Sequence, residues 1–211
     1  MGAQKINRER FAQGLTIEQF TDGMEKNWDV FEQNYKDFTP DERDIEFLRE
    51  LDLRLNVLVL AEDWCGDVVL YVPTFARLAE QVPEWTVRMF KRDENPDLAD
   101  LWLKEGKFRS IPVIVFFDED INEIACYIER PRAVVEARRQ AREVFAAQHP
   151  ELPDASASPD QMSEATGALY AEFMRQLRTN NRLEWQRLFV EEIKSKLGEA
   201  RPELAVASGG R

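Results

Sequence analysis

The stretch Val57-Leu58-Val59-Leu60-Ala61-Glu62-Asp63-Trp64-Cys65-Gly66-Asp67 decides how this chain of 211 residues is read. A run of Val and Leu suited to a buried strand stops at two acids, and Trp-Cys-Gly-Asp then opens a new element. From there to Val82 the residues Val68, Val72, Phe75, Ala79 and Val82 recur at helical spacing and predict a helix over 65–82. A cysteine thus stands where a strand ends and a helix begins. At such a place unpaired backbone N–H groups and the helix dipole favour a thiolate.

Outward from this junction the pattern alternates. It predicts strands at 55–61, 85–92, 112–118 and 122–129 and helices at 65–82 and 96–105, with Asp118-Glu119-Asp120-Ile121-Asn122 as the polar turn of a closing hairpin. Strands separated by helices pair in parallel and the hairpin pairs antiparallel, so the sheet is mixed and the fold α/β. A further helix is predicted from Pro131 to about Gln148. Upstream, Thr16 and Gln19 form a capping box. They open a helix whose stripe Ile17, Phe20, Met24, Trp28, Phe31, Tyr35 and Phe38 passes through Gly23 unbroken. Thr39-Pro40-Asp41-Glu42 starts another helix that runs to about Leu51. Helical spacing assigns the aromatic stripe to core packing in preference to a cofactor or peptide groove.

Residues 1–53 are therefore expected as an N-terminal helical extension and 54–148 as the core. Residues 149–158 are read as a linker, 159–204 as C-terminal helices with a break at Thr179-Asn180-Asn181, and 205–211 as a disordered tail. The helix-rich flanks are candidates for a homodimer contact.

At Trp64-Cys65-Gly66 the chain resembles the thioredoxin-like family, whose motif is Trp-Cys-Gly-Pro-Cys. Pro73, Asp93-Glu94-Asn95-Pro96 and Ser110-Ile111-Pro112 follow in the family's order, and the likeness covers about residues 54–147. The resemblance implies a thioredoxin-like mixed sheet flanked by helices. It also implies a cis bond before Pro112, a nucleophilic Cys65, and a substrate surface of Trp64, Gly66, Asp67, Ile111 and Pro112. In that surface the backbone of Ile111 pairs with a bound thiol substrate as an added strand. The departures matter as much. Val68 stands where the family has its resolving cysteine, Asp67 replaces the intervening proline, and Val59 stands where the family buries an aspartate. The chain is read as a single-cysteine, monothiol member.

Composition sets the outer bounds. A net charge of −12 argues against nucleic acid and anionic membrane as partners. No apolar run is long enough to span a bilayer, and residues 1–10 lack the apolar core of a signal peptide. Two cysteines without a disulfide framework fit a reducing compartment, so the expected location is cytoplasmic. One histidine, His149, and two distant cysteines make no metal cluster, and no phosphate loop is present, so neither a metal nor a cofactor is expected. Cys126 alternates with Ile124 and Ile128 in the last strand and is placed near Ile114, with packing as its role. The helix dipole is expected to lower the Cys65 pKa, while Glu62, Asp63 and Asp67 oppose this and repel acidic partners.

Two functions follow. One is a thiol–disulfide oxidoreductase or redox sensor that acts on protein or low-molecular-weight thiols and disulfides, with an external thiol resolving the product. The alternative is a non-catalytic thioredoxin-fold interaction module.

Overall fold

A computed structural model of the protein describes residues 6–51 and 53–208. The chain divides into two compact units, Met1–Arg130 with Phe189–Arg211, and Pro131–Leu188.

The first unit is built on a four-stranded mixed sheet in the order β2-β1-β3-β4: β1 Asn56–Ala61, β2 Thr86–Lys91, β3 Val113–Phe117 and β4 Glu123–Ile128. β1 and β2 are parallel, β1 and β3 antiparallel, and the hairpin β3–β4 antiparallel. The Val- and Phe-rich β3 is buried along its whole length, as a central strand covered on both faces requires. In the hairpin turn Asp118 accepts from the backbone N–H groups of Asp120 and Asn122.

Alternation along the strands sorts the core into two faces. Val57, Val59, Ile114, Phe116 and Tyr127 share one, and Leu58, Leu60, Val113, Val115, Phe117 and Cys126 share the other. The helix after β1, labelled α5 once the four upstream helices are counted, covers the first face over Val68–Ala79, with Phe75 against Phe116 at 6.1 Å. The second face receives α1, Arg8–Ala12, through Phe11 on Phe117 at 6.5 Å, and also Trp102 on Phe117 at 6.1 Å. Leu15 then exchanges backbone bonds with Met89 at 2.9 and 2.8 Å, covering the outer edge of β2. Gly14 makes that approach possible, since a Cβ there would lie 2.6 Å from the Phe90 ring.

The helix expected to run unbroken from Thr16 to Phe38 is instead two, α2 Ile17–Asp22 and α3 Trp28–Asp37. The Thr16–Gln19 capping box is present, but the chain leaves the helix after Gly23 because a carboxylate from the β1–α5 loop captures its next N–H groups. Helix α4, Glu42–Glu50, follows with Asp41 as its cap. The helix expected over 96–105 is a single turn, α6 Pro96–Ala99.

In the second unit α7, Arg132–Gln148, is followed by a turn-rich segment and a 3₁₀ turn at Pro159–Gln161. Phe145 meets Tyr170 at 5.2 Å and Phe173 at 5.4 Å. The segment read as a linker is tied down by Asp154, which accepts from the backbone N–H of Ser163 and the hydroxyl of Thr166, both at 2.5 Å. These bonds hold its carboxyl at about 2.

The final helix, α8, runs from Glu164 to Ser208 without the break expected at Thr179-Asn180-Asn181. There the Thr179 hydroxyl donates to the Arg175 carbonyl at 3.0 Å and the Asn181 amide to the Leu177 carbonyl at 2.7 Å. Both side chains bond back four residues along the helix instead of competing for its backbone. Its residues up to Leu188 belong to the second unit and those from Phe189 to the first, so the units divide elsewhere than at the expected linker. Of the tail expected to be disordered, 209–211 lie outside the described residues. Among the described residues no helix is long and apolar enough to cross a membrane.

Candidate functional site around Cys65

Between β1 and α5 the chain turns through Glu62-Asp63-Trp64-Cys65-Gly66-Asp67. The Cys65 N–H donates to the Glu62 carbonyl at 3.2 Å, and the Cys65 carbonyl accepts from Val69 N–H at 3.1 Å. The cysteine therefore sits at the opening turn of α5, as the strand-to-helix reading requires. Its thiol is half-buried, and Sγ lies 3.6 Å from the Ile111 carbonyl oxygen. The Ile111–Pro112 bond is cis, and both residues are buried. The Pro112 carbonyl accepts from Glu129 N–H at 2.7 Å, which brings the end of β4 to the same corner.

The three acids of the loop are not a solvated cluster. Glu62 is buried and accepts from Asp93 N–H at 2.7 Å; burial is the chief reason its carboxyl is raised. Asp63 accepts from Glu25 and Lys26 N–H at 2.7 and 2.9 Å, and its own carbonyl accepts from the Asn27 amide at 2.8 Å. That pair of bonds is what interrupts the N-terminal helix. Asp67 is buried and ion-paired with Arg130, whose Nε donates to Oδ2 at 3.0 Å while Nη2 bonds the same oxygen. Each acid clamps a different segment to the loop, Glu62 and Asp63 through backbone N–H groups and Asp67 through its pair with Arg130.

Trp64 is 43 % exposed, with the Arg92 guanidinium 5.0 Å from its ring centroid. Gly66 is half-buried. Val68, expected at the resolving position, is fully buried, and so is Val59 on β1. Beneath them Tyr71, Tyr127 and Phe189 form a ring cluster with centroids 5.0–6.5 Å apart.

The expected lowering of the Cys65 pKa is not what its surroundings produce. Burial pushes the thiol up and the Asp67 carboxylate adds to this, while the N–H groups of Val68 and Asp67 and the Arg130 guanidinium act the other way. The net direction is upward because a thiol half-withdrawn from water loses more hydration than two N–H groups return.

Cys126 pairs with Val115, not with Ile114 as expected; Ile114 faces Tyr127. One step of register changes the face of the sheet. Cys126 thus shares the face of Phe117, and its sulfur lies 4.0 Å from the Tyr127 carbonyl oxygen. Neither Cys65 nor Cys126 is in a disulfide.

Arg130 is the site residue that sequence reading did not find. Its signal was present as an arginine directly after the last strand, with an acid in place of the proline two residues beyond Cys65.

A family model described as thioredoxin matches residues 14–142. No curated protein matches. Among solved structures, a protein of unknown function from Pseudomonas aeruginosa superposes with a TM-score of 0.54 at 18 % identity, covering 82 % of this chain and 99 % of its own. An HIV epitope scaffold does so with a TM-score of 0.55 at 15 % identity, covering 98 % and 100 %. At these identities the two structures speak for the fold alone.

Proposed function

Since the chain belongs to the thioredoxin family, we propose that it carries out thiol–disulfide exchange through Cys65 alone, with an external thiol completing the cycle. The observation that supports this most is the placement of Sγ at the opening turn of α5, 3.6 Å from the Ile111 carbonyl beside a cis proline. A disulfide substrate laid along Ile111 presents its sulfur to that thiol. The Cys65 thiolate attacks one sulfur, a bond forms between the two, and the second sulfur leaves as a thiolate. With a sulfenic acid the same bond forms and hydroxide leaves, taking a proton from solvent to become water. A second, external thiol then attacks the mixed disulfide, takes the bound sulfur into a new disulfide and returns Cys65 as thiolate.

External resolution follows from the neighbours. Val68 occupies the position one turn along, and Cys126 lies on the opposite sheet face. Trp64, with its half-exposed ring, offers the flat contact beside the thiol, and Gly66, Asp67, Ile111 and Pro112 complete the substrate surface. The substrates are protein or low-molecular-weight disulfides, and the reducing compartment this chemistry suits is the cytoplasm.

A second reading, a thioredoxin-fold interaction module without turnover, is favoured by the upward direction of the Cys65 pKa. Incubation with a peptide mixed disulfide, followed by intact-mass measurement, separates the two. Exchange gives one adduct on Cys65 that an added thiol removes; no adduct on Cys65 leaves the interaction module.

A further inference from the structure

The contacts around the thiol close into a ring. From Cys65 the path runs to the Ile111 carbonyl at 3.6 Å, from Pro112 through its carbonyl to Glu129 N–H at 2.7 Å, and along the chain to Arg130. It returns through the Nε bond to Asp67 at 3.0 Å, two residues from the starting cysteine. The closing pair is nearly withdrawn from water, with side-chain exposures of 18 % for Arg130 and 9 % for Asp67. Arg130 also meets Glu129 at 2.5 Å, and Glu129 in turn bonds Lys104. A carboxylate that close to a developing thiolate is unfavourable unless its charge is offset, and in a low-dielectric corner the offset has to be local.

We propose that Arg130 is a positioning residue for the Cys65 thiol: its guanidinium anchors and neutralises the Asp67 carboxylate, so that the thiolate forms beside a balanced pair and not beside a buried lone negative charge. The proposal rests on the reading of Cys65 as nucleophile. It assigns to this chain a device in place of the family's proline between the two cysteines. The other charged and titratable groups near the corner are already committed. Glu62 accepts from Asp93 N–H, Asp63 from Glu25 and Lys26 N–H, Lys104 donates to Glu129, and Arg92 lies over Trp64. Tyr71 on α5, Tyr127 on β4 and Glu192 on α8 are grouped beneath the pair. Arg130 also works directly on the thiol in the favourable direction, and Asp67 in the unfavourable one.

The test is the rate of iodoacetamide alkylation of Cys65 against pH, in a Cys126→Ser background with the melting temperature measured alongside. Arg130→Gln is expected to move the profile to higher pH and slow alkylation at neutral pH about tenfold, the change in thiolate fraction that one pKa unit gives. Arg130→Lys should recover most of the rate. Asp67→Asn should move the profile the opposite way, and Asp67→Asn with Arg130→Gln should return it close to the parent. A lower melting temperature with an unmoved profile would overturn the proposal and leave Arg130 merely structural. If Arg130→Gln does not fold, the sign for Asp67→Asn decides: an unmoved or alkaline-shifted profile overturns it. Alkylation needs no disulfide substrate, so a protein that shows these shifts yet exchanges no disulfide refutes the proposed function and not this assignment.

Discussion

The two cysteines are half-buried alike, yet they stand in different settings, one beside each face of the sheet. On the face covered by α5, Cys65 stands at a helix opening among N–H groups, a carbonyl and a guanidinium. On the other, Cys126 stands mid-strand among Val115, Phe117 and the hairpin backbone. Burial is the same class for both. What marks Cys65 is the helix opening and the Asp67–Arg130 pair beside its sulfur, and we therefore expect it to be the more reactive thiol.

The largest test of that contrast is structural. Phe189 is fully buried against Tyr71 and Tyr127, on the face beneath Cys65. Phe189→Ala is expected to cost about 3–5 kcal/mol, measured by urea unfolding. A cost below 1 kcal/mol would mean that the C-terminal part of α8 does not support this face.

The opposite face is probed at its rim. Gly14→Ala drives a Cβ to within 2.7 Å of Arg88 Cβ and 2.6 Å of the Phe90 ring. The expected cost is about 1–3 kcal/mol, typical of overpacking, with faster hydrogen exchange at Leu15 and Met89. Unchanged exchange there would show that the edge pairing is not needed.

Fold and site were legible in the sequence to different depths. The succession of core strands along the chain, the junction at Cys65, the Ser110-Ile111-Pro112 turn and the capping box at Thr16 are local patterns, and these carried through to structure. Two of the failures were set by long-range partners. The break after Gly23 depends on Asp63, some forty positions on, and the role of Asp67 depends on Arg130, beyond the last strand. The register of Cys126 went wrong by one residue because a hairpin loop fixes pairing only once its turn is known, and Ile121 in the left-handed region at φ 62 was not foreseeable. Thr179-Asn180-Asn181 read as a break because the composition is that of a turn. The helix instead absorbed it through side-chain bonds to its own carbonyls.

A smaller effect sharpens the contrast at the thiol itself. Val68→Cys places a second sulfur one turn along α5, where side chains three apart are neighbours. Mild oxidation is expected to consume both thiols within one chain, seen as loss of two free thiols without dimer. Insulin reduction is expected to be barely accelerated by the parent and to rise only modestly in the variant, since Val59 supplies no buried acid to the new thiol. Failure to close the disulfide would mean that Val68 does not stand at a resolving position.

The smallest effect lies in the second unit, which carries neither cysteine. The folded pKa of Asp154, about 2, is below its ordinary value of 3.8. The stability it contributes is therefore present above pH 3.8 and lost as pH falls towards about 2. Asp154→Asn should flatten the acid limb of unfolding for α7 and α8 while leaving Cys65 alkylation unaltered. An acid limb identical to the parent's would remove the tie assigned to Asp154.

The central claim is that the working thiol is the one at the strand-to-helix junction, and brief iodoacetamide labelling at neutral pH with peptide mapping tests it most directly. Label is expected on the peptide carrying Cys65 well before the one carrying Cys126. Equal labelling, or Cys126 labelled first, would contradict the account.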